Sequence, residues 1–462
     1  MSNRTLSRRL FLTGSAAALA LSTTGTQVTA FSINHTKSPN EKLNIAGIGV
    51  GGKGRGDIDT CNSENIVALC DVDWHSARGA FDAYPKAKRY KDFRKMLEEC
   101  KEIDAVTIST PDHMHAVAAM ACMQAGKHVY VQKPLTHTVY EARLLRETAQ
   151  KYGVATQMGN QGASTEMHRE LCEMIWAGLI GKVREVHSWT DRPKGWWEQG
   201  IPEALPEATI PDHLDWDLWL GPAPVRAYNP GYCPFNWRGW WDFGSGALGD
   251  IACHSLSPVV KALQLEHPTS VECTHLLDAN CQTYPTAAIL HYQFPERGGF
   301  PPVSLYWYDG LLKPELPEGV NPDIGLLKEK GGTMFIGDQG IILMNGRTGE
   351  NMLIIDGEHV KDFEKPTPII PRQPHIPGSG ERGQHADRMH KIDWIRSCKT
   401  GSESSSNFEH AGPLTEWVIM GNISLKYPHE KLIWDGPAMC FKNKAEASQF
   451  VSKEYRKGWE IA

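Results

Sequence analysis

Between residues 41 and 160 the chain alternates short apolar runs with longer segments of helical period. The runs "KLNIAGIG", "NIVALCDVD", "IDAVTIST", "KHVYVQK" and "GVATQMG" are rich in valine, isoleucine and alanine, as strands buried on both faces are. Between them lie helical patterns such as "HMHAVAAMACMQAG", closed by Gly126. Another, "TVYEARLLRETAQKYG", is opened by a Thr138–Glu141 capping box and closed by Gly153. Strict alternation of strand and helix predicts right-handed crossovers and a doubly wound parallel sheet. Beyond Gln161 the rhythm changes. "VREVHSWT", "AAILHYQF", "PVSLYWY" and "GTMFIGDQGIILMN" alternate as strands of a mostly antiparallel open sheet do. "EKPTPIIPRQPHIPGSGERG" reads as an irregular surface excursion, and "HADRMHKIDWIRSCKTG" as the helix after it. The expected fold is therefore α/β: an N-terminal Rossmann-type sheet over 41–160 and a C-terminal α+β domain over 161–462.

The length of 462 residues agrees with two domains. With 41% apolar and 22% charged residues and a formal charge of −6, no basic stripe points to nucleic acid or an anionic membrane. Eleven cysteines form no CxxC pair, and several sit inside apolar runs, as buried free thiols do. Residues 1–30 differ from the rest: three arginines and no acid, the apolar stretch "GSAAALALS", then "VTA". This is the pattern of an export signal. Arg8 and Arg9 followed by Leu10, Phe11 and Leu12 resemble the twin-arginine type. Residues 31–40 then form a linker, and a periplasmic or otherwise exported location is expected, with the twin-arginine machinery as a transient partner.

Gly47, Gly49 and Gly52 make G-x-G-x-x-G directly after the first strand, where a tight turn, close approach to a pyrophosphate and close helix packing each exclude a side chain. Asp71 ends the second strand, 24 residues after Gly47. A carboxylate there accepts ribose hydroxyls and repels a 2′-phosphate, which favours NAD over NADP. Lys133 stands at the carboxyl end of the fifth strand, in "VQKPL", pointing into the crevice where such sheets bind ligands. It is placed to steady a developing alkoxide. "GSGALGDIACH" sets Asp250 and His254 four residues apart, on one helical face, as a base and its orienting carboxylate. No third ligand lies at a metal-binding spacing, so no metal is expected.

Together G-x-G-x-x-G, Asp71, "TPDHMH" at 110–115, "QKP" at 132–134 and "GALGDIACH" resemble the Gfo/Idh/MocA family, the relatives of glucose-fructose oxidoreductase and inositol dehydrogenase. The resemblance covers nearly all of the chain from residue 41. It implies a Rossmann domain binding NAD(P), a sugar site on the C-terminal sheet, Lys133, Asp250 and His254 as the catalytic set, and Thr110, Pro111 and His115 beside the cofactor. Two positions depart from the pattern: Gln132 stands where glutamate is usual, and Ser257 where an aspartate often follows the histidine.

Eight of the fifteen tryptophans fall between Trp189 and Trp241. Flat aromatic faces suit sugar rings, while packing or a subunit interface is the better explanation for any single one. Trp237, Arg238 and Trp240 immediately precede the catalytic motif and are placed nearest the substrate; a homo-oligomer is expected. The sequence thus points to an exported NAD-dependent oxidoreductase acting on a secondary hydroxyl of a sugar or glycoside. Its cofactor would be captured before export and held tightly. The rivals are redox-neutral, NAD-dependent glycoside cleavage, whose histidine-rich signature is not evident in "GNQGASTEMHRE", and a non-catalytic NAD- or sugar-binding protein.

Overall fold

Strands β1 (Asn44–Ile48), β2 (Asn65–Cys70), β3 (Lys88–Tyr90), β4 (Ala105–Ile108), β5 (His128–Val131) and β6 (Thr156–Met158) form one parallel sheet in the order β3-β2-β1-β4-β5-β6. The computed structural model describes residues 41–346, 349–372 and 384–461, all within one compact unit. The export signal and linker of residues 1–40 lie outside the described residues. Five helices cross between these strands: α1 (Gly52–Asp59), α2 (Arg78–Ala83), α3 (Phe93–Glu99), α4 (Asp112–Gln124) and α5 (Val139–Tyr152). Every residue of β4 and β5 is buried, which accounts for their unbroken apolar runs. The predicted capping box of α5 is present, with Thr138 accepting from the Glu141 N–H and the Glu141 carboxylate accepting from the Thr138 N–H; Gly153 closes the helix at φ 60°. Strand β3 escaped the sequence pattern because its three residues, Lys-Arg-Tyr, are polar or exposed.

The chain then runs through α6 (Glu166–Trp176), β7 (Val183–Trp189), α7 (Trp216–Leu220), α8 (Gly246–Ser255), α9 (Ser257–Leu263), β8 (Ser270–Leu277), β9 (Ala287–Phe294) and β10 (Val303–Tyr308). After these come β11 (Gly332–Gly337), β12 (Ile341–Asn345), β13 (Asn351–Ile355), β14 (Glu358–Val360), α10 (Gln384–Thr400), α11 (Phe408–Ser424), β15 (Leu432–Asp435) and β16 (Cys440–Phe441). The strands make a ten-stranded sheet, β14-β13-β12-β11-β7-β10-β9-β8-β15-β16. Only the β7–β10 pair is parallel, so the expected mostly antiparallel sheet is what forms. The described part of the proline-rich segment, 364–372, has no regular structure and is tied down through the carboxylate of Glu173, which accepts from the N–H groups of Ile369 and Ile370 at 2.7 and 2.9 Å and pairs with Arg372 at 2.6 Å. All eleven cysteines are free, eight of them buried.

The two halves do not divide cleanly at residue 160. Trp394, Ile395 and Cys398 of α10 share a core with Leu43, Ile45 and Tyr130. From the same helix Lys391 reaches Asp57 on α1 at 2.8 Å, with both side chains fully buried. Asp57 also accepts from Ser109 Oγ and Gln132 Nε2, each at 2.8 Å. Lys53 on α1 also lies 3.2 Å from Asp57, so losing Lys391 removes the fully buried partner without stranding the carboxylate, and the cost falls below the roughly 3–5 kcal/mol of an uncompensated buried charge. Lys391→Met should therefore lower the melting temperature, and an unchanged melting curve would show that Asp57 does not depend on Lys391.

Candidate active site

The carboxyl ends of β1, β2, β4 and β5 bring the glycine-rich turn, Asp71, Thr110, Pro111 and Lys133 to one edge of the parallel sheet. There they face Arg238 and the α8 residues Asp250 and His254 across a cleft of about 650 Å³. The glycine turn is fixed by contact rather than by composition. A Cβ on Gly49, at φ 72°, would lie 2.9 Å from the backbone of Ser109 and Thr110. The close packing of helix against turn falls to Gly54, whose Cβ would collide with the Gly49 carbonyl oxygen. At Gly52 nothing lies within 4 Å, and its glycine is required by φ 48° instead. A Cβ on Gly47 would meet the Val50 side chain at 2.6 Å. The turn leads into α1, whose N-terminus has no side-chain cap and so leaves donors for an anionic group. A cradle that added Cβ atoms would fill, opening on a helix N-terminus at a sheet's carboxyl edge, fits a dinucleotide.

Asp71 lines this cleft, but its carboxylate also braces the turn. Oδ2 accepts from the Val50 and Gly51 N–H groups at 2.8 and 3.0 Å, and Oδ1 accepts from Asp73 N–H at 2.9 Å. Burial raises its pKa to about 6 against those three bonds.

At the other end Lys133 Nζ lies 2.6 Å from Asp250 Oδ1 and also donates to the Asp250 carbonyl at 3.0 Å. Arg238 Nε adds a contact to the same carboxylate at 3.3 Å. Burial opposes ionisation of Asp250, but the Lys133 and Arg238 charges outweigh it and hold the carboxyl at about 2. This corrects the expected role of Asp250: its carboxylate is engaged by the lysine and arginine, and no hydrogen bond joins it to His254. Burial, then the charge of Lys133, pushes the His254 ring down to about 3, so it is neutral near pH 7 with a lone pair to accept a proton.

Two further expectations are corrected. His115 is fully buried behind the cleft wall, its ring nitrogens facing the carbonyl oxygens of Pro134 at 2.8 Å and Thr110 at 2.9 Å. It ties the Thr110 turn to the Lys133 turn rather than meeting a cofactor. Trp240 is 1% exposed, set edge-on to Tyr232 with Arg226 over its face, and belongs to an aromatic core. Trp237 and Arg238 do line the cleft, the guanidinium lying 4.3 Å from the rings of both Trp237 and Phe235. Trp196, 53% exposed, and Phe235 supply the more open aromatic faces.

Asp112 was missed as a site residue, although it lies inside the "TPDHMH" motif. It lines the cleft near Lys133, Arg238 and Asp250, and burial raises its carboxyl to about 7. The unusual Gln132 also has a structural cause. Its amide donates to buried Asp57 while its oxygen accepts the Lys133 N–H at 3.3 Å; a glutamate would set two carboxylates against each other. Ser257 is buried and lies 2.9 Å from His410 Nε2, away from the cleft lining.

Burial makes acid stability a sharp expectation. His113, His137 and His254 are pushed from 6.5 to about 3, and His115, His390 and His410 to about 4. Unfolding between those values and 6.5 takes up protons, so stability is lost as pH falls below about 6.5. Asp71, Asp112 and Asp309, raised to about 6, 7 and 7, pull the other way, but three groups do not offset six. The melting temperature at about pH 5 should lie several degrees below that at about pH 7.5; equal values would contradict neutral burial of these rings.

Fold and site define a Rossmann-type dinucleotide-binding domain joined to an open-sheet α/β domain. Residues 43–160 match the family model described as oxidoreductase family, NAD-binding Rossmann fold, and residues 175–293 the one described as oxidoreductase family, C-terminal alpha/beta domain. Together they span just over half of the chain, which belongs to the Gfo/Idh/MocA oxidoreductase family. Inositol 2-dehydrogenase of Salmonella paratyphi B is 30% identical over 195 residues, 41% of this chain and 58% of the relative. The chain spans less than two thirds of the length of the curated relatives it matches. Among solved structures, the inositol dehydrogenase homolog from Azotobacter vinelandii, complexed with NADH and myo-inositol, superposes with a TM-score of 0.59 at 16% identity over 86% of this chain and 99% of that one. The WlbA dehydrogenase from Bordetella pertussis, in complex with NADH and UDP-GlcNAcA, gives 0.59 at 15% identity over 86% and 99%. At these identities the likeness is one of fold.

Proposed function

We propose that this chain is an exported NAD-dependent oxidoreductase that oxidises a secondary hydroxyl of a sugar or glycoside and keeps its cofactor bound. The observation that carries the reading is the meeting of Lys133, Asp250, Arg238 and His254 at one end of the cleft whose other wall is the glycine-rich turn. Bound NAD supplies the hydride acceptor. Gly47, Gly49, Gly52 and the α1 N-terminus would hold its pyrophosphate, and Asp71 the turn itself. His254, neutral and without a hydrogen-bond partner among the described residues, takes the hydroxyl proton. Lys133, fixed by Asp250, donates to the hydroxyl oxygen and steadies its growing negative charge. Trp196 and Phe235, the more open rings of the cleft, offer flat faces to a sugar ring. Solved relatives that hold NADH with myo-inositol or with UDP-GlcNAcA support a polyol or sugar substrate.

Arg8 and Arg9 support export in the folded state, which would carry the dinucleotide out with the chain. A retained cofactor then needs a second substrate, or a later step of the same reaction, to take the hydride back. Offering the purified protein polyols, aldoses and glycosides while following nicotinamide reduction and products tests the reading. A ketosugar with a reduced cofactor is expected. Aglycone release without net reduction would identify the redox-neutral alternative, and no change in any sugar would overturn both.

A further inference from the structure

The end of the cleft beyond Asp71 is roofed by a segment from the other half of the chain. Its lining combines Val72, Asp73 and Ser76 after β2 with Leu214, Leu218 and Trp219 from around α7, and Trp459 near the C-terminus. In a Rossmann sheet the end of the second strand receives the adenosine ribose, so this is the adenosine end. Helix α7 has five residues, too few to persist alone, and it is fastened on each side.

On the β2 side, Asp73 and Leu214 form an antiparallel bridge, Asp215 N–H donates to the Val72 carbonyl at 3.0 Å, and Trp74 N–H to the His213 carbonyl at 3.2 Å. His213 Nδ1 lies 2.8 Å from Asp73 Oδ1. On the far side, Arg456 Nε donates to the Gly221 carbonyl at 2.8 Å, Nη2 to the Asp217 carbonyl at 2.7 Å, and Nη1 pairs with the Asp217 carboxylate at 2.5 Å. From below, the Trp219 carbonyl faces His113 Nε2 at 2.9 Å, and the Trp216 and Trp219 rings stack at 4.6 Å. Asp73 also receives His75 N–H, Ser76 N–H and Ser76 Oγ at 3.0, 3.1 and 2.7 Å. Its acceptors are therefore shared between its own turn and the His213 fastening.

We propose that residues 213–222 form a fixed cover over the adenosine end of the dinucleotide site, and that Asp73 and Arg456 are the positioning residues that hold it shut and make cofactor exchange slow. This rests on the NAD-dependent reading above. The fastenings join positions 140 and 239 residues apart in the chain, so a bound dinucleotide leaves only when contacts across the whole molecule give way.

The test is exchange of NAD itself. Protein loaded with NAD, freed of excess and diluted into isotopically labelled NAD is sampled for bound label by mass spectrometry. Wild type should exchange slowly, and Asp73→Ala/Arg456→Ala about tenfold faster or more, as loss of about 1.4 kcal/mol of closure requires. Asp73→Asn alone keeps an oxygen for the turn at residues 75 and 76 but loses the charge opposite His213, and should give an intermediate rate with the fold intact by circular dichroism. Wild-type exchange rates in both folded variants would overturn the cover. Failure of the wild type to bind NAD at all would instead overturn the NAD-dependent reading, and the cover with it.

Discussion

Lys133→Ala should lower turnover by about two to four orders of magnitude, the usual contribution of a group that stabilises developing charge or moves a proton. The loss should fall on kcat more than on KM, because the alkoxide character that Lys133 meets is strongest in the transition state. His254→Ala should be as damaging, with no ion pair lost. In Lys133→Ala the Asp250 carboxylate keeps Arg238 at 3.3 Å, so the fold should survive and bound dinucleotide should still be detectable. Near-normal activity in both variants would remove Lys133 and His254 from the chemistry.

The second large effect is expected from one methyl group. Gly54→Ala drives a Cβ into the Gly49 carbonyl oxygen, and the neighbour is backbone that cannot rotate away. Overpacking of this kind costs about 1–3 kcal/mol. Since the strain falls on the turn that cradles the pyrophosphate, dinucleotide affinity should drop by about one to two orders of magnitude. Gly56→Ala is the matched control. It lies two residues further along the same helix with nothing within 4 Å of its Cβ, and should leave affinity unchanged while stabilising the helix by about 0.5–1 kcal/mol. Equal effects from the two substitutions would show that the Gly49–Gly54 contact does not shape the cradle.

What could be read from the chain and what could not separate along physical lines. The buried strands, the Thr138 capping box and the Gly153 terminus were legible because each is written in consecutive residues with a fixed period or spacing. Lys133 was read from its place at a strand end and His254 from its motif, and the structure sets both on the lining of one cleft. Asp250 was assigned to His254 from their four-residue spacing, yet a lysine 117 residues away competes better: a cation at 2.6 Å in a buried setting outweighs a neutral ring on the same helix face. The tryptophans were indistinguishable as letters. Whether one is core, like Trp240, or open, like Trp196, depends on which partners fold over it, here Tyr232 and Arg226. Likewise the return of α10 to the dinucleotide half depends on Lys391 meeting Asp57, 334 residues earlier, which no local pattern encodes. His115 was placed beside the cofactor by resemblance, whereas both its ring nitrogens face backbone carbonyls.

Whether the chain holds its dinucleotide is read from the small-molecule content of the protein purified without added cofactor. On denaturation and mass analysis, NAD, oxidised or reduced, should emerge at close to one per chain, retained through prior dialysis. A protein that releases no dinucleotide and takes up none when NAD is supplied would contradict the NAD-dependent reading.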